Sequence, residues 1–158
     1  MPINNQQIQK LKNEPNEHYD DWASWAIWDP KEDNHDFQHN IEAFCNPYTN
    51  KRLCWAQKEI ETNPQNLLNE IVILGLNIST KCEKWSNFHL TQERAGRNPQ
   101  HDRKLRFLFD KSQYRGAYMT DLFKTETKES DKVLKLAKNE IWRNSHFNNL
   151  QNELKVIG

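Results

Sequence analysis

Hydrophobic and polar positions along the chain predict two strands separated by a helix. Residues 71–74 form a continuous apolar run that ends at Asn77. A run that is apolar on both faces is typical of a central parallel strand, so a strand is predicted at 71–77. Apolar residues at helical spacing predict a helix around 105–109, and a second strand is predicted at 115–123.

Helices are predicted from there to the end of the sequence. Ser130 is a candidate N-cap for a helix that extends to Ile141, and a further helix is predicted at 146–157. Strand–helix–strand–helix order is the βαβ arrangement of an α/β protein, whose ligands bind at the carboxyl ends of the strands. We therefore predict an α/β fold in which a short parallel sheet is flanked by helices.

The part of the chain before the sheet is also predicted to be helical. A short helix is predicted at 4–13, and short helices and loops are predicted at 31–66. Between them, a tryptophan at every third residue predicts a helix, or a single helical turn, that stops at Pro30. These tryptophans are Trp22, Trp25 and Trp28. Such a stripe can be a platform on which bases stack or part of the core, and we favour the core because the chain is poor in aliphatic residues.

Length and composition describe one polar domain. The chain has 158 residues, of which 35% are hydrophobic, and 22 Lys and Arg balance 22 Asp and Glu. The length predicts a single domain over 1–158, with an N-terminal helical region at 1–66 and an α/β core at 67–158. The zero net charge excludes a polybasic protein that coats DNA, and the low apolar content predicts a small core.

Cysteine and glycine patterns argue against metals and nucleotide cofactors. The three cysteines, Cys45, Cys54 and Cys82, lack the CxxC spacing of zinc sites, and the chain has no glycine-rich phosphate-binding motif. No metal or cofactor is therefore expected. The odd number of cysteines, together with the lack of an apolar run of about 18 residues or of a hydrophobic signal core, favours a cytoplasmic protein without a membrane partner.

Candidate chemistry lies where the two predicted strands end. Gly75 and Asn77 close the first strand, and an aromatic, polar loop, WSNFH, follows at 85–89. A carboxamide at a strand end points into the crevice of an α/β sheet, and such a loop can close over a flat heteroaromatic ligand. The second strand brings Thr120 and Asp121 to the same edge of the sheet, one on each face.

Each candidate residue also has a purely structural interpretation. Asn77 suits a turn with a left-handed backbone, and Asp121 suits a cap for the turn that follows its strand. Phe88 is of the type that anchors a loop by packing, and His89 is of the type that is solvated in a polar loop. Sequence reasoning leaves both interpretations open.

Three segments resemble the uracil-DNA glycosylase superfamily, most of all its little-characterised bacterial branch. They are IVILGLNIS at 71–79, the loop at 85–89 and GAYMTDLFK at 116–124. The resemblance spans residues 70–124 and implies an α/β sandwich around a short parallel sheet. It also implies a DNA-repair hydrolase that binds DNA, or a nucleobase-like ligand, and removes a base from DNA.

The resemblance assigns roles to five residues. The family's first motif, in which the Asn positions the hydrolytic water, matches Gly75, Leu76 and Asn77. Phe88 falls where an aromatic ring stacks on the extruded base, and Asp121 lies near the base-reading position. Asn77 is then a catalytic candidate, and His89 is a second one by its own chemistry, as an acid or anion stabiliser. The base-binding candidates are Gly75, Leu76, Phe88 and Asp121.

Two departures from the family weigh against activity. Ile78 stands where the family has a proline, and no turn similar to HPS follows Asp121. In the family that turn stabilises the departing base anion, and loss of such a donor typically costs about 10²–10³ in rate. The chain is therefore expected to correspond to the N-terminal portion of the family's domain, without its C-terminal strands, and enzymatic activity stays open.

A basic group follows the candidate loop. Its members are Arg97, Arg103, Lys104 and Arg106. We expect them to contact the phosphate backbone of DNA, which would make the affinity depend on salt. The alternative is a solvated helix face whose charge Asp102 and Asp110 offset.

A non-catalytic function is the alternative to an enzyme. Unpaired strand edges favour association with another chain. The protein would then be a nucleic-acid- or protein-binding module that completes its sheet by forming a homo-oligomer. A remnant without activity is a third interpretation.

Overall fold

The computed structural model describes residues 2–13, 18–28, 50–77, 85, 88, 105, 108–127 and 129–158. Within them the chain is a mixed α/β protein with a three-stranded sheet and four α-helices, which confirms the predicted α/β class. The strands are β1 (Ser24–Trp25), β2 (Leu68–Asn77) and β3 (Ala117–Phe123). The helices are α1 (Asn5–Asn13), α2 (Asn50–Thr62), α3 (Ser130–Leu136) and α4 (Glu140–Ile157).

Polar residues define the first turns of two helices. Asn4 and Gln7 begin α1 with reciprocal bonds, because each main-chain N–H donates to the side-chain oxygen of the other residue, at 2.9 and 3.0 Å. Asn139 caps α4, and its side chain accepts a bond from the main-chain N–H of Trp142 at 3.1 Å. The predicted cap at Ser130 is wrong, since Ser130 is the first residue of α3 and the N-cap position belongs to Glu129.

The sheet has the order β1-β3-β2 and contains both kinds of pairing. β2 and β3 are parallel, as the strand–helix–strand order predicts, and Gly75 lies beside Asp121 in their register. β1 pairs antiparallel with β3, with Ser24 beside Met119. The described sheet is therefore mixed, whereas the sequence predicted parallel strands alone.

The position of β2 corrects a second prediction. We expected the apolar run at 71–74 to be a central strand, but β3 occupies the centre and β2 lies at one end of the three-stranded sheet. Val72, Leu74 and Leu76, on one face of β2, are 38%, 49% and 37% exposed. An apolar run reports only that a strand can be buried on both faces, and strand order depends on pairings elsewhere in the chain.

The tryptophan segment contains a single helical turn, as one of the two predictions had it, and no longer helix. The 3-10 turn lies at Tyr19–Asp21 and is followed by the short strand β1. The core role is confirmed for Trp25 and Trp28, which are fully buried, whereas Trp22 is only partly buried. Trp25 makes edge-on contacts with Tyr118 at 4.8 Å and with Trp85 at 5.0 Å between ring centroids.

Hydrophobic clusters pack against both faces of β3, and alternate residues of this strand contribute to each cluster. Tyr118 and Trp25 lie in a cluster with residues of α1, α2 and α4. Met119 and Trp28 lie in the other, against which Phe88 and partly buried residues of β2 pack. Among the described helices, none combines the length and the apolar character that a membrane crossing requires.

Candidate functional site

The candidate site forms where β2 and β3 lie side by side near their carboxyl ends. Gly75 and Asp121 are register partners, so their side-chain positions lie on the same face of the sheet. A Cβ atom at Gly75 would overlap Asp121 Oδ1 and would lie 3.4 Å from Phe88 Cε1. Glycine inside a strand often marks such a close approach. The missing side chain thus leaves the space that the Asp121 carboxylate and the Phe88 ring share.

The loop that carries Phe88 has a strained backbone. Phe88 and Trp85 both have left-handed conformations, with φ of 63° and 64°. A non-glycine residue in this region costs about 1–3 kcal/mol, and such residues cluster at functional sites. Trp85 is held on both sides, because its N–H donates to Asp20 O at 2.6 Å and its carbonyl accepts from Ser24 Oγ at 2.7 Å. These contacts fix the position of Trp85 in the core, three residues before Phe88.

The Asn77 carboxamide is anchored at the end of β2. Its Nδ2 donates to the carbonyl oxygen of Thr127 at 2.9 Å. This bond ties the end of β2 to the segment that follows β3. Side-chain alternation places Asn77 on the same face as Gly75. A role in positioning water stays a prediction, to which the structure adds a fixed orientation of the amide.

Other predicted site residues lie apart from this convergence or outside the described residues. Leu76 points to the face opposite Gly75 and is partly exposed. Asp110, suggested as a counter-charge to the basic group, forms an ion pair with Arg115, whose Nη2 donates to Trp28 O at 2.9 Å. The predicted residues outside the described part of the chain are His89, Arg97, Arg103, Lys104 and Arg106.

Sequence reasoning missed a buried polar network on the opposite face of β3. Glu153 of α4 accepts two hydrogen bonds at Oε1, from Tyr118 Oη at 2.6 Å and from Thr120 Oγ1 at 2.8 Å. Lys124 Nζ lies 2.7 Å from Glu153 Oε2. Lys124 and Glu153 lie far apart in the sequence, and in the sequence alone each resembles an ordinary solvent-exposed charge. The available signal was the position of Lys124 directly after a strand that is apolar or aromatic apart from Thr120 and Asp121.

Burial raises the pKa of two side chains near this network. Burial, and then the negative charge of Glu153, raise the pKa of Tyr118 well above its ordinary value of 10.0. Its phenol therefore remains a hydrogen-bond donor. Burial, and then the neighbouring Asp21 carboxylate, raise the pKa of Asp20 from its ordinary 3.8.

A metal-binding cluster or a known relative would point to a function directly. Within the part of the chain that the structure describes, no group of three or more His, Cys, Asp or Glu side chains could hold a metal ion. Comparison of the chain with protein-family models, with curated proteins and with solved structures finds no match in any of the three. The functional proposal therefore depends on the site geometry and on the sequence motifs.

Proposed function

We propose that the chain is a uracil-DNA glycosylase-like protein that binds a flipped base of DNA, or a nucleobase-like ligand, beside Gly75, Phe88 and Asp121. The observation that carries the proposal is the meeting of a ring, a carboxylate and a glycine at the carboxyl ends of two parallel strands. Ligands of α/β sheets bind at this edge. The strained backbone of Phe88 adds support, because it commits the ring to this place.

The chemistry of the three residues suits a nucleobase. A base has a flat face that stacks on an aromatic ring, and a Watson–Crick edge that proteins recognise by hydrogen bonds. The carboxylate of Asp121 can accept a hydrogen bond from an N–H of that edge. The absence of a side chain at Gly75 leaves room for the Asp121 carboxylate and the Phe88 ring to lie together at this strand end. Hydrolysis further requires a held water, which is the proposed role of Asn77, and a donor to the departing base anion.

The experiment uses a labelled DNA oligonucleotide with a single uracil and a matched oligonucleotide with N3-methyluracil, which lacks the N–H that the Asp121 carboxylate is proposed to bind. Affinity is measured by fluorescence anisotropy, and base removal by strand cleavage at the abasic site in alkali. We expect the protein to bind the uracil strand at least tenfold more tightly than the N3-methyluracil strand, and Asp121→Ala to remove that preference, because each good edge contact contributes about 1–3 kcal/mol.

Val72→Ala is the matched control, since Val72 lies on the same strand as Gly75 and faces the other way. It should leave the uracil preference unchanged. Equal affinity for both strands would exclude base recognition. The absence of abasic product at high protein concentration, with no change in Asn77→Ala, would exclude hydrolysis while leaving recognition to be judged by affinity.

A second candidate function is a module that completes its sheet by pairing with another copy of the chain. The exposed apolar side chains on one face of β2 favour this function. Val72, Leu74 and Leu76 are apolar and exposed along one strand at the end of the described sheet. Long apolar strands at a sheet edge are templates for pairing with another chain. The proposal is that two copies pair along β2.

Solution mass tests this second function. We expect a dimer at micromolar concentration and a monomer for Leu74→Lys, because a charge in the middle of the strand opposes edge-to-edge pairing. Leu134→Lys on α3 is the control, since Leu134 is similarly exposed and lies outside the sheet. A wild-type protein that stays monomeric at high concentration excludes pairing along β2.

A further inference from the structure

The buried ammonium group of Lys124 contacts the main chain of Asp121. Lys124 directly follows β3, and its side chain is 1% exposed. Nζ donates to Thr120 Oγ1 at 2.5 Å and to the carbonyl oxygen of Asp121 at 2.7 Å, and it lies 2.7 Å from Glu153 Oε2. The ammonium therefore makes two hydrogen bonds to β3 and one close charge contact with α4.

The main chain of Lys124 is also held by α4. Its N–H donates to His146 Nδ1 at 3.2 Å. His146 and Glu153 lie seven residues apart on α4, which corresponds to a rise of about 10 Å. Two separated points of one rigid helix therefore hold the residue that follows β3, one through its backbone and one through its side chain.

A buried charge pair is an expensive way to fill this space. Removing an ammonium and a carboxylate from water costs several kcal/mol per ion, and apolar residues of similar volume are often as stable. Unlike an apolar side chain, however, the ammonium forms directed bonds, and one of them ends on Asp121. The carbonyl of Asp121 faces Lys124, while its carboxylate lies over Gly75.

We infer that Lys124 is a positioning residue, which couples α4 to the strand end that places the Asp121 carboxylate at the candidate site. The inference deepens the proposed function and rests on it for its biological meaning. Lys124 contacts the main chain of Asp121 and lies on the face of β3 opposite to the Asp121 side chain. It acts by holding the Asp121 carbonyl, and thereby the direction in which the carboxylate leaves the strand.

The test uses the neutral double variant Lys124→Met/Glu153→Gln. The glutamine amide keeps an oxygen that can accept from Tyr118 and Thr120, and methionine fills the space of the lysine stem, so the variant is expected to fold. It lacks the donor to the Asp121 carbonyl. We expect the melting temperature to recover compared with Lys124→Met alone, while the preference for uracil over N3-methyluracil falls about tenfold, because a misplaced group loses the geometry that its contact requires.

Tyr118→Phe is the matched control, because it removes another hydrogen bond to Glu153 and leaves Lys124 in place. It should lower the melting temperature without changing the uracil preference. A double variant that recovers both the melting temperature and the preference would show that Lys124 only stabilises the fold, and would overturn the inference.

A measurement without ligand separates this inference from the proposed function. The ¹³C chemical shift of the Asp121 carboxyl carbon reports its surroundings, and we expect it to change in the double variant and to stay constant in Tyr118→Phe. An unchanged shift in the double variant overturns the positioning role, whether or not DNA binds. A changed shift in a protein that does not distinguish uracil from N3-methyluracil supports the coupling and removes the proposed function.

Discussion

Gly75→Ala is expected to destabilise the protein by about 2 kcal/mol, the usual cost of one methyl group forced into a packed region. The added Cβ would overlap Asp121 Oδ1, and the Phe88 ring lies on its other side. Asp121 is almost fully buried, so its carboxylate has little room to move away. We expect the uracil preference to be lost as well, because the carboxylate is the proposed hydrogen-bond acceptor. Urea unfolding and the anisotropy assay measure the two effects.

The double variant Gly75→Ala/Asp121→Ala separates the overlap from other causes. Removing the carboxylate should recover stability relative to Gly75→Ala and should leave the uracil preference absent. Val72→Ala again serves as the control on the opposite face. A Gly75→Ala protein with wild-type stability and affinity would show that the close approach has no energetic consequence.

Lys124→Met alone is expected to lower the free energy of unfolding by about 3–5 kcal/mol, since removing one partner of a buried ion pair leaves the other charge without compensation. Glu153 has no exposed surface, and Lys124 is its charged partner at 2.7 Å. A domain typically has only about 5–15 kcal/mol of stability in total. Urea unfolding followed by tryptophan fluorescence should therefore show a large decrease in the midpoint.

The comparison with Lys124→Met/Glu153→Gln identifies the origin of this loss. If the uncompensated charge causes it, the double variant is more stable than Lys124→Met, although it contains one more substitution. Lys132→Met, which removes an exposed lysine that pairs with Glu129, should change stability by less than about 1 kcal/mol. Equal losses for Lys124→Met and Lys132→Met would contradict the assigned role of the buried pair.

Most components of the close approach at Gly75 could be predicted from the sequence. A glycine within an apolar run, an aromatic loop after it and a carboxylate late in the next strand were all visible in the sequence. Parallel pairing was also predictable, since the sequence pattern predicts a helix between the two strands. Their meeting follows from one further condition, the register that sets Gly75 beside Asp121. A shift by one residue would place Asp121 beside Leu74 or Leu76 and would move it away from the glycine.

The short strand β1 could not be predicted from the pattern of hydrophobic and polar residues. A strand of two residues has no periodicity, and the spacing of Trp22, Trp25 and Trp28 matches a helix. Antiparallel pairing with β3 is what holds Ser24 and Trp25 in extended form. That pairing also moves β2 from the predicted centre of the sheet to one end.

The sequence by itself determined the α/β class, the parallel pairing of β2 with β3, the burial of Trp25 and Trp28, and the residue types at the strand ends. These properties depend on local periodicity and composition, which a chain carries without its fold. The tertiary structure alone decided the strand order, the close approach of Asp121 to Gly75 and the burial of Lys124 against Glu153. Each of these needs residues far apart in sequence to meet, and a charge becomes a core residue only when its partner has been brought beside it.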